Sequence, residues 1–250
     1  MTNTTINGGE QDVHGTADTT AINAGGTQVV VGPGIATTTT INAGGQQLLN
    51  LSDSGGGTAN FTTIAGGTKT INAGTANNTT INSGEQDVGP NGIAENTTIA
   101  GGLMHVMAGA GTGGTSITFS SLGTLVIDQP VSGSTSLPAQ LVGLQLYDKI
   151  DLAGLPFVSG ANFTLSTDHS QLTVTSESNS ETFSLMNDSA IAFSVKPDGN
   201  GGTDLAAIPV GYHYVVAEAF SVNTIANGTP AVVDVTVKFR NDGYSCQRSA

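Results

Sequence analysis

One short phrase dominates the first half of this chain and restricts what it can fold into. Thr-Thr-Ile-Asn-Ala-Gly-Gly stands at 39–45 and returns with small changes at 4–9 (TTINGG), 20–26 (TAINAGG), 62–67 (TTIAGG), 79–84 (TTINSG) and 97–102 (TTIAGG). Its isoleucines are Ile6, Ile22, Ile41, Ile64, Ile81 and Ile99, with Ile117 as a seventh marker, at intervals of 16, 19, 23, 17, 18 and 18 residues. A period near that length, tolerant of small insertions, predicts a solenoid in which each repeat buries its apolar side only by stacking on its neighbours.

Each unit carries a second apolar position seven residues after the first: Ile6/Val13, Ile22/Val29, Ile41/Leu48, Ile64/Ile71, Ile81/Val88 and Ile99/Val106. The units are not helical, because consecutive β-branched residues run straight into Gly-Gly, which is costly in a helix interior. The pattern predicts a short strand, a glycine corner and another short strand. The pairs Gly25-Gly26, Gly44-Gly45, Gly66-Gly67 and Gly101-Gly102 supply positive φ or close backbone approach at the corner. Stacking in register places apolar residues inside, predicts amide ladders of Asn7, Asn23, Asn42, Asn72 and Asn82, and assigns Thr to the outer faces. Length variation falls after the second marker, where 32–34 (GPG), 50–57 (NLSDSGGG) and 89–92 (GPNG) read as turns and a bulging loop.

Composition agrees with narrow coils. There are 35 Gly, no Trp and few other aromatics among 250 residues, so a core must come from Ile, Val and Leu. Nineteen acidic residues against six basic ones give a formal charge of −13. That balance disfavours nucleic acid and anionic membrane surfaces, which need Lys/Arg patches. The single cysteine, Cys246, excludes an internal disulfide framework and a cysteine-rich zinc cluster. Residues 1–12 lack the basic and apolar stretches of a secretory leader, and no run is long enough for a transmembrane helix. The repeat begins almost directly after Met1, so the sequence reads as a fragment or a truncated relative of something longer.

From about residue 115 the texture changes. Period-2 alternation, clearest at Leu172/Val174, Phe183/Leu185 and Ile191/Phe193/Val195, predicts an all-β segment that continues the solenoid with wider coils and finishes it. Residues 212–219 and 231–239 read as two further strands around a turn at 226–229. The organisation expected is therefore a short-coil repeat at 1–114, a β-rich continuation or cap at 115–207, and a terminal hairpin with a tail at 208–250.

Chemistry-bearing residues are sparse. Asp148 and Asp151 are candidates for an acid pair or for Ca²⁺ ligands, and solvated turn acids are the simpler reading. Asp198, Asn200 and Asp204 lie in DGNGGTD, which resembles a weak calcium loop but lacks the Glu of an EF-hand; a hairpin turn accounts for it. His14, His105, His169 and His213 are single and far apart, without a metal-binding motif. No nucleophile elbow accompanies 167–170 (TDHS), and Cys246 has no evident partners. Lys69 is the one basic residue of the repeats. No catalytic, cofactor-binding or metal-binding residue is assigned, and no cofactor is expected.

The phrases at 39–48 (TTINAGGQQL), 79–88 (TTINSGEQDV) and 20–29 (TAINAGGTQV) resemble the passenger repeats of AIDA-type autotransporter adhesins, over residues 3 to about 110. The resemblance implies a right-handed parallel β-helix displayed on the bacterial surface or secreted, mediating attachment or aggregation without catalysis. The partners it implies are cell-surface glycans, proteins or other copies of itself, with no nucleic acid and no membrane insertion by this chain. Residues 115–207 look like the β-rich segment that precedes an autoprocessing domain in some such proteins; 244–246 (YSC) is where that domain would start, but no body of it follows in this sequence, so self-cleavage is not expected. Two other readings stand beside it: a polysaccharide-active β-helix enzyme, and an inert spacer.

Overall fold

The computed structural model describes residues 1–53, 55–129, 133–186 and 192–208. The expected strands at 212–219 and 231–239, His213 and Cys246 lie outside the described residues. Within Met1–Val210, which forms one compact unit, the described residues are all-β with no helix. Their strands join in a single hydrogen-bonded system of 19 strands. The fold is a parallel β-helix.

Two parallel ladders carry the repeats. On one, Thr2–Ile6, Thr16–Ile22, Ile35–Asn42 and the start of Thr58–Glu95 lie side by side. Their register places Ile6, Ile22, Ile41 and Ile64 in one column, which resumes with Ile81 beside Ile99. On the other, Gly9–Val13, Gly26–Val31, Gln46–Ser52 and residues 68–71 follow one another, and Leu103–Val106 pairs with residues 85–88. From Ile22 onward every isoleucine of the column is fully buried, contributing about 1.5–3 kcal/mol each.

The details correct the sequence reading in four places. First, Phe119, not Ile117, continues the isoleucine column, because Phe119 pairs with Ile99 and Ile117 with Thr97. Second, the seven-residue spacing fails in the second and third units, where Val30 and Leu49 are buried and Val29 and Leu48 face outward. Those two corners read Asn-Ala-Gly-Gly, one residue longer than Asn-Gly-Gly or Ala-Gly-Gly, so the inward position moves by one. Third, the Thr-Thr pair is split: Thr20, Thr39, Thr62, Thr79 and Thr97 are buried, while the residue after each lies on the outer face. Fourth, among the described residues the amides form three short ladders. Asn42 donates to Asn23 and Asn23 to Asn7, at 2.7 and 2.6 Å. Asn72 donates to Asn50, and Asn77 to Asn60. The first ladder stops where Ala65 replaces the amide beside Asn42.

The buried threonines face a second polar column, Gln28, Gln47, Lys69 and Gln86, all with no solvent exposure. Each glutamine amide that follows another bonds back down the stack, Gln28 to Gln11 and Gln47 to Gln28, both at 2.8 Å. Threonine hydroxyls link the columns: Thr20 accepts from Gln28, while Thr39 and Thr62 donate to Gln28 and Gln47. Lys69 replaces a glutamine here, and its ammonium donates to Thr62 at 2.8 Å and Thr79 at 3.1 Å. Both acceptors are neutral. Burial without a counter-charge lowers the Lys69 pKa from 10.5 to about 7.

A third inward column is made of Ala17, Ala36, Ala59, Ala76 and Ala94, with Ala17, Ala36 and Ala59 in direct register. Small side chains suit this edge of a narrow coil. Glycine is required at the corners for two separate reasons. Gly44 has a φ of 75°. A Cβ on Gly67 instead meets the Ile41 Cγ2 at 2.4 Å and the Asn42 carbonyl oxygen at 2.6 Å, both in the coil below.

Beyond residue 103 the polar columns become apolar while the register continues. Gln86 is followed by Met104, Leu125, Ile150 and Leu205, and Thr97 by Ile117, Leu141 and Leu185. Gln86 Oε1, at this junction, is buried without a hydrogen-bond partner. The pairing then turns antiparallel. Asn162–Leu165, Gln171–Ser176 and Asn179–Met186 form a meander on one ladder. Thr203–Ile208 and Ala192–Pro197 extend the other beside Lys149–Leu152. Phe163 and Phe193 meet edge to face across these two layers at 5.6 Å.

Two substitutions test this packing. Between pH about 7 and 10.5 the unfolded chain holds a proton on Lys69 that the folded chain lacks, so stability rises with pH in that window by up to roughly 1.4 kcal/mol per unit. Lys69→Gln removes this contribution and raises stability at neutral pH; urea unfolding at a series of pH values measures both effects. Gly67→Ala lowers stability by about 1–3 kcal/mol through overpacking against the coil below, measured by the same method.

Candidate functional site

A sharp bend recurs along the repeats, one residue before Thr4 and before each of the buried Thr20, Thr39, Thr62, Thr79 and Thr97. Asn3, Thr19, Thr38, Phe61, Asn78 and Asn96 all have φ between 52° and 57°. Asparagine tolerates this left-handed conformation through its short polar side chain. For β-branched threonine and bulky phenylalanine it costs about 1–2 kcal/mol. Phe61 is also 59% exposed, so packing does not explain its presence at a strained position.

Phe61 stands at the margin of an open groove of about 290 Å³, lined further by Asn78, Asn96, Thr63, Thr80, Thr98 and Thr118 together with Thr62 and Ser116. The bends supply Phe61, Asn78 and Asn96. The second threonine of each repeat supplies the outward row, with Thr98 in register with Thr80 and Thr118 with Thr98. Every lining side chain is neutral. Hydroxyls and amides offer both donors and acceptors at the spacing of the coils, beside one aromatic face. Sequence reasoning missed this groove because it assigned both threonines of each pair to the outside and had no signal for the bend.

The acidic candidates are placed apart from the groove. Asp148 is buried and accepts from the Gly123 amide at 2.9 Å and the Gln145 amide at 2.7 Å, so it fastens a turn to the coil below. Burial pushes its pKa up against the pull of these two bonds. Asp151 instead faces Lys149, which also pairs with Asp204 at 2.8 Å. Burial raises the Asp151 pKa too, and Lys149 opposes the rise. The two acids thus serve separate partners. Asp198 accepts from the amides of Asn200 and Gly202 at 2.6 and 2.9 Å, the bonding of a hairpin turn, while Asp204 sits in the strand beyond it.

The histidines diverge as well. His14 is exposed, and His169 occupies a tight turn in which the exposed Asp168 accepts from Ser166 and Ser170. Those bonds hold the Asp168 pKa down at about 2. His105 lies in register with Asp87 on the outer side of its ladder, and its Nδ1 is 3.6 Å from Asp87 Oδ1. Its Nε2 is 2.7 Å from Asp128 Oδ2. Glu85 joins this group two residues before Asp87. Burial, reinforced by the charge of Glu85, pushes the Asp87 pKa up to about 6. Sequence spacing concealed the group because its members come from three successive coils.

No family model matches the sequence, and no curated protein matches it. A solved structure, a TibC-catalysed hyper-glycosylated fragment of TibA, is similar at 30% identity with a TM-score of 0.46. The likeness covers 63% of this chain and 62% of that one.

Phe61→Asn places at the fourth bend the residue found at 3, 78 and 96. It is expected to stabilise the fold by about 1 kcal/mol through relief of the left-handed strain, read as a higher urea midpoint at unchanged slope.

Proposed function

We propose that the chain is a non-catalytic, adhesin-like passenger scaffold of a bacterial surface or secreted protein, whose coils present a groove for neutral, polyhydroxylated ligands of the cell-surface glycan class. The observation that carries the reading is the groove itself: an exposed aromatic held at a strained bend, followed by rows of hydroxyls and amides, with no titratable group in the lining. An apolar ring covers the C–H face of a sugar, and the threonine and asparagine rows exchange hydrogen bonds with its hydroxyls. The repeated phrases that resemble AIDA-type passengers point the same way. That resemblance supports a location outside the cell, with attachment to other cells or to further copies of itself.

A polysaccharide-cleaving activity is less well supported. Glycoside chemistry calls for paired carboxylates across the bound sugar, and this groove offers none. Lys69, the repeat region's basic residue, is turned into the core. An inert spacer has no use for a strained, exposed phenylalanine.

Binding of the full 250-residue chain to a neutral-glycan array and to bacterial cells tests the proposal. Saturable binding is expected, weakened at least tenfold by Phe61→Asn although that variant is the more stable. Absence of binding to every glycan and cell type would favour the spacer.

A further inference from the structure

The group of Glu85, Asp87, His105 and Asp128 lies outside the groove and takes no part in the proposed glycan binding. Glu85 and Asp87 alternate with the inward-facing Gln86 and Val88, so both carboxylates leave the same face of one strand. His105 stands directly beside Asp87 on the next coil, and Asp128 follows the strand Thr124–Ile127 one coil further on. All of these side chains are partly buried; those of Asp87 and His105 are only 18% and 23% exposed. Three carboxylates therefore share one imidazole. The lysine ion pairs among the described residues are made to Asp151 and Asp204, elsewhere in the fold.

We propose that Glu85, Asp87 and His105 form a binding site for a divalent transition-metal ion of the Zn²⁺ class, with Asp128 as the positioning residue. The three ligand atoms lie within 4.8 Å of one another. A tetrahedral ion with ligands at about 2.0–2.2 Å holds them about 3.4 Å apart, close to the 3.6 Å between His105 Nδ1 and Asp87. Small rotamer adjustments of Glu85 complete the set. The two ring nitrogens have different environments, which is what a ligating histidine requires. Nδ1 faces the carboxylates, and Nε2–H donates to Asp128 at 2.7 Å, fixing the tautomer and turning the free nitrogen toward the ion. One imidazole with two carboxylates suits Zn²⁺ or a neighbouring first-row ion; Ca²⁺ calls for six to eight oxygens. With three protein ligands the fourth position stays open to water or to a donor from outside. Because the ligands come from successive coils, the ion also ties one coil to the next.

Zn²⁺ titration of the full-length metal-stripped protein by calorimetry, with Co²⁺ absorption as a second readout, tests the site. Expected are one equivalent bound, a raised melting temperature, and no comparable effect of Ca²⁺. His105→Gln and Asp87→Asn are expected to weaken binding at least 100-fold, and Asp128→Asn by 10- to 100-fold, with circular dichroism of the apo proteins unchanged. Cys246→Ser and His14→Gln are expected to bind as the native chain does. Zn²⁺ affinity that survives His105→Gln, or that vanishes with Cys246→Ser, overturns the assignment. So does the absence of stoichiometric binding by the native protein.

Discussion

In-register stacking of successive coils is the constraint on which everything else in this structure depends. A parallel ladder places equivalent residues of neighbouring coils directly beside each other, so a choice made once is repeated along the column. Isoleucine above isoleucine builds a core at every level. Asparagine above asparagine makes a ladder, as between Asn7, Asn23 and Asn42. The second corner glycine is dictated by the same closeness, since a Cβ there strikes the coil below. Rules that look local in the sequence are therefore contact rules between coils.

A core lined partly by polar side chains follows from that periodicity. Buried amides and hydroxyls are costly unless paired, and the Gln column facing the Thr column pairs them by bonding along the stack as well as across it. Lys69 breaks the column chemically while keeping its geometry. Its long chain reaches the two threonine hydroxyls that a glutamine amide serves elsewhere, and it brings a charge that no neighbour balances. At Met104 and Ile117 the interior changes to ordinary apolar packing, and one glutamine oxygen is left unpaired at the boundary. The antiparallel meander of Asn162–Leu165, Gln171–Ser176 and Asn179–Met186, and the antiparallel pairing of Thr203–Ile208, come after this change.

Much of the fold was legible because the markers of the sequence are the core residues of the structure: Ile6 through Ile99 fall in one column, and the glycine pairs fall at its corner. Other features were not legible for physical reasons. A corner one residue longer moved the inward position from Val29 to Val30 and from Leu48 to Leu49, a shift that apolar type alone does not reveal. Thr20 and Ala21 differ in facing, yet threonine and alanine suit either side of a strand. Phe119 continues the isoleucine column, while Ile117, which keeps the repeat spacing, falls in the threonine column. The groove was hidden because it depends on the bends at Phe61, Asn78 and Asn96, and left-handed φ at a phenylalanine has no sequence signature. The His105 group was hidden because its members lie on separate coils. Asp148 and Asp151 drew notice through sequence proximity, although they bind different partners.

The functional reading rests on the outer surface of the same stack, where rows of neutral side chains are held at the spacing of the coils. Its foundation is the register, and engineered disulfides test that most directly. In a Cys246→Ser background, Thr40 and Thr63 are outward-facing register partners, as are Thr80 and Thr98. Neighbouring coils about 4.8 Å apart bring paired cysteines within bridging range, whereas residues several coils apart stay beyond it. Cysteines at 40 and 63, or at 80 and 98, should bridge on mild oxidation of the folded chain, while cysteines at 40 and 98 should remain reduced. Efficient bridging of 40 to 98 in the monomer, with neither neighbouring pair closing, would contradict the stacked register and the account built on it.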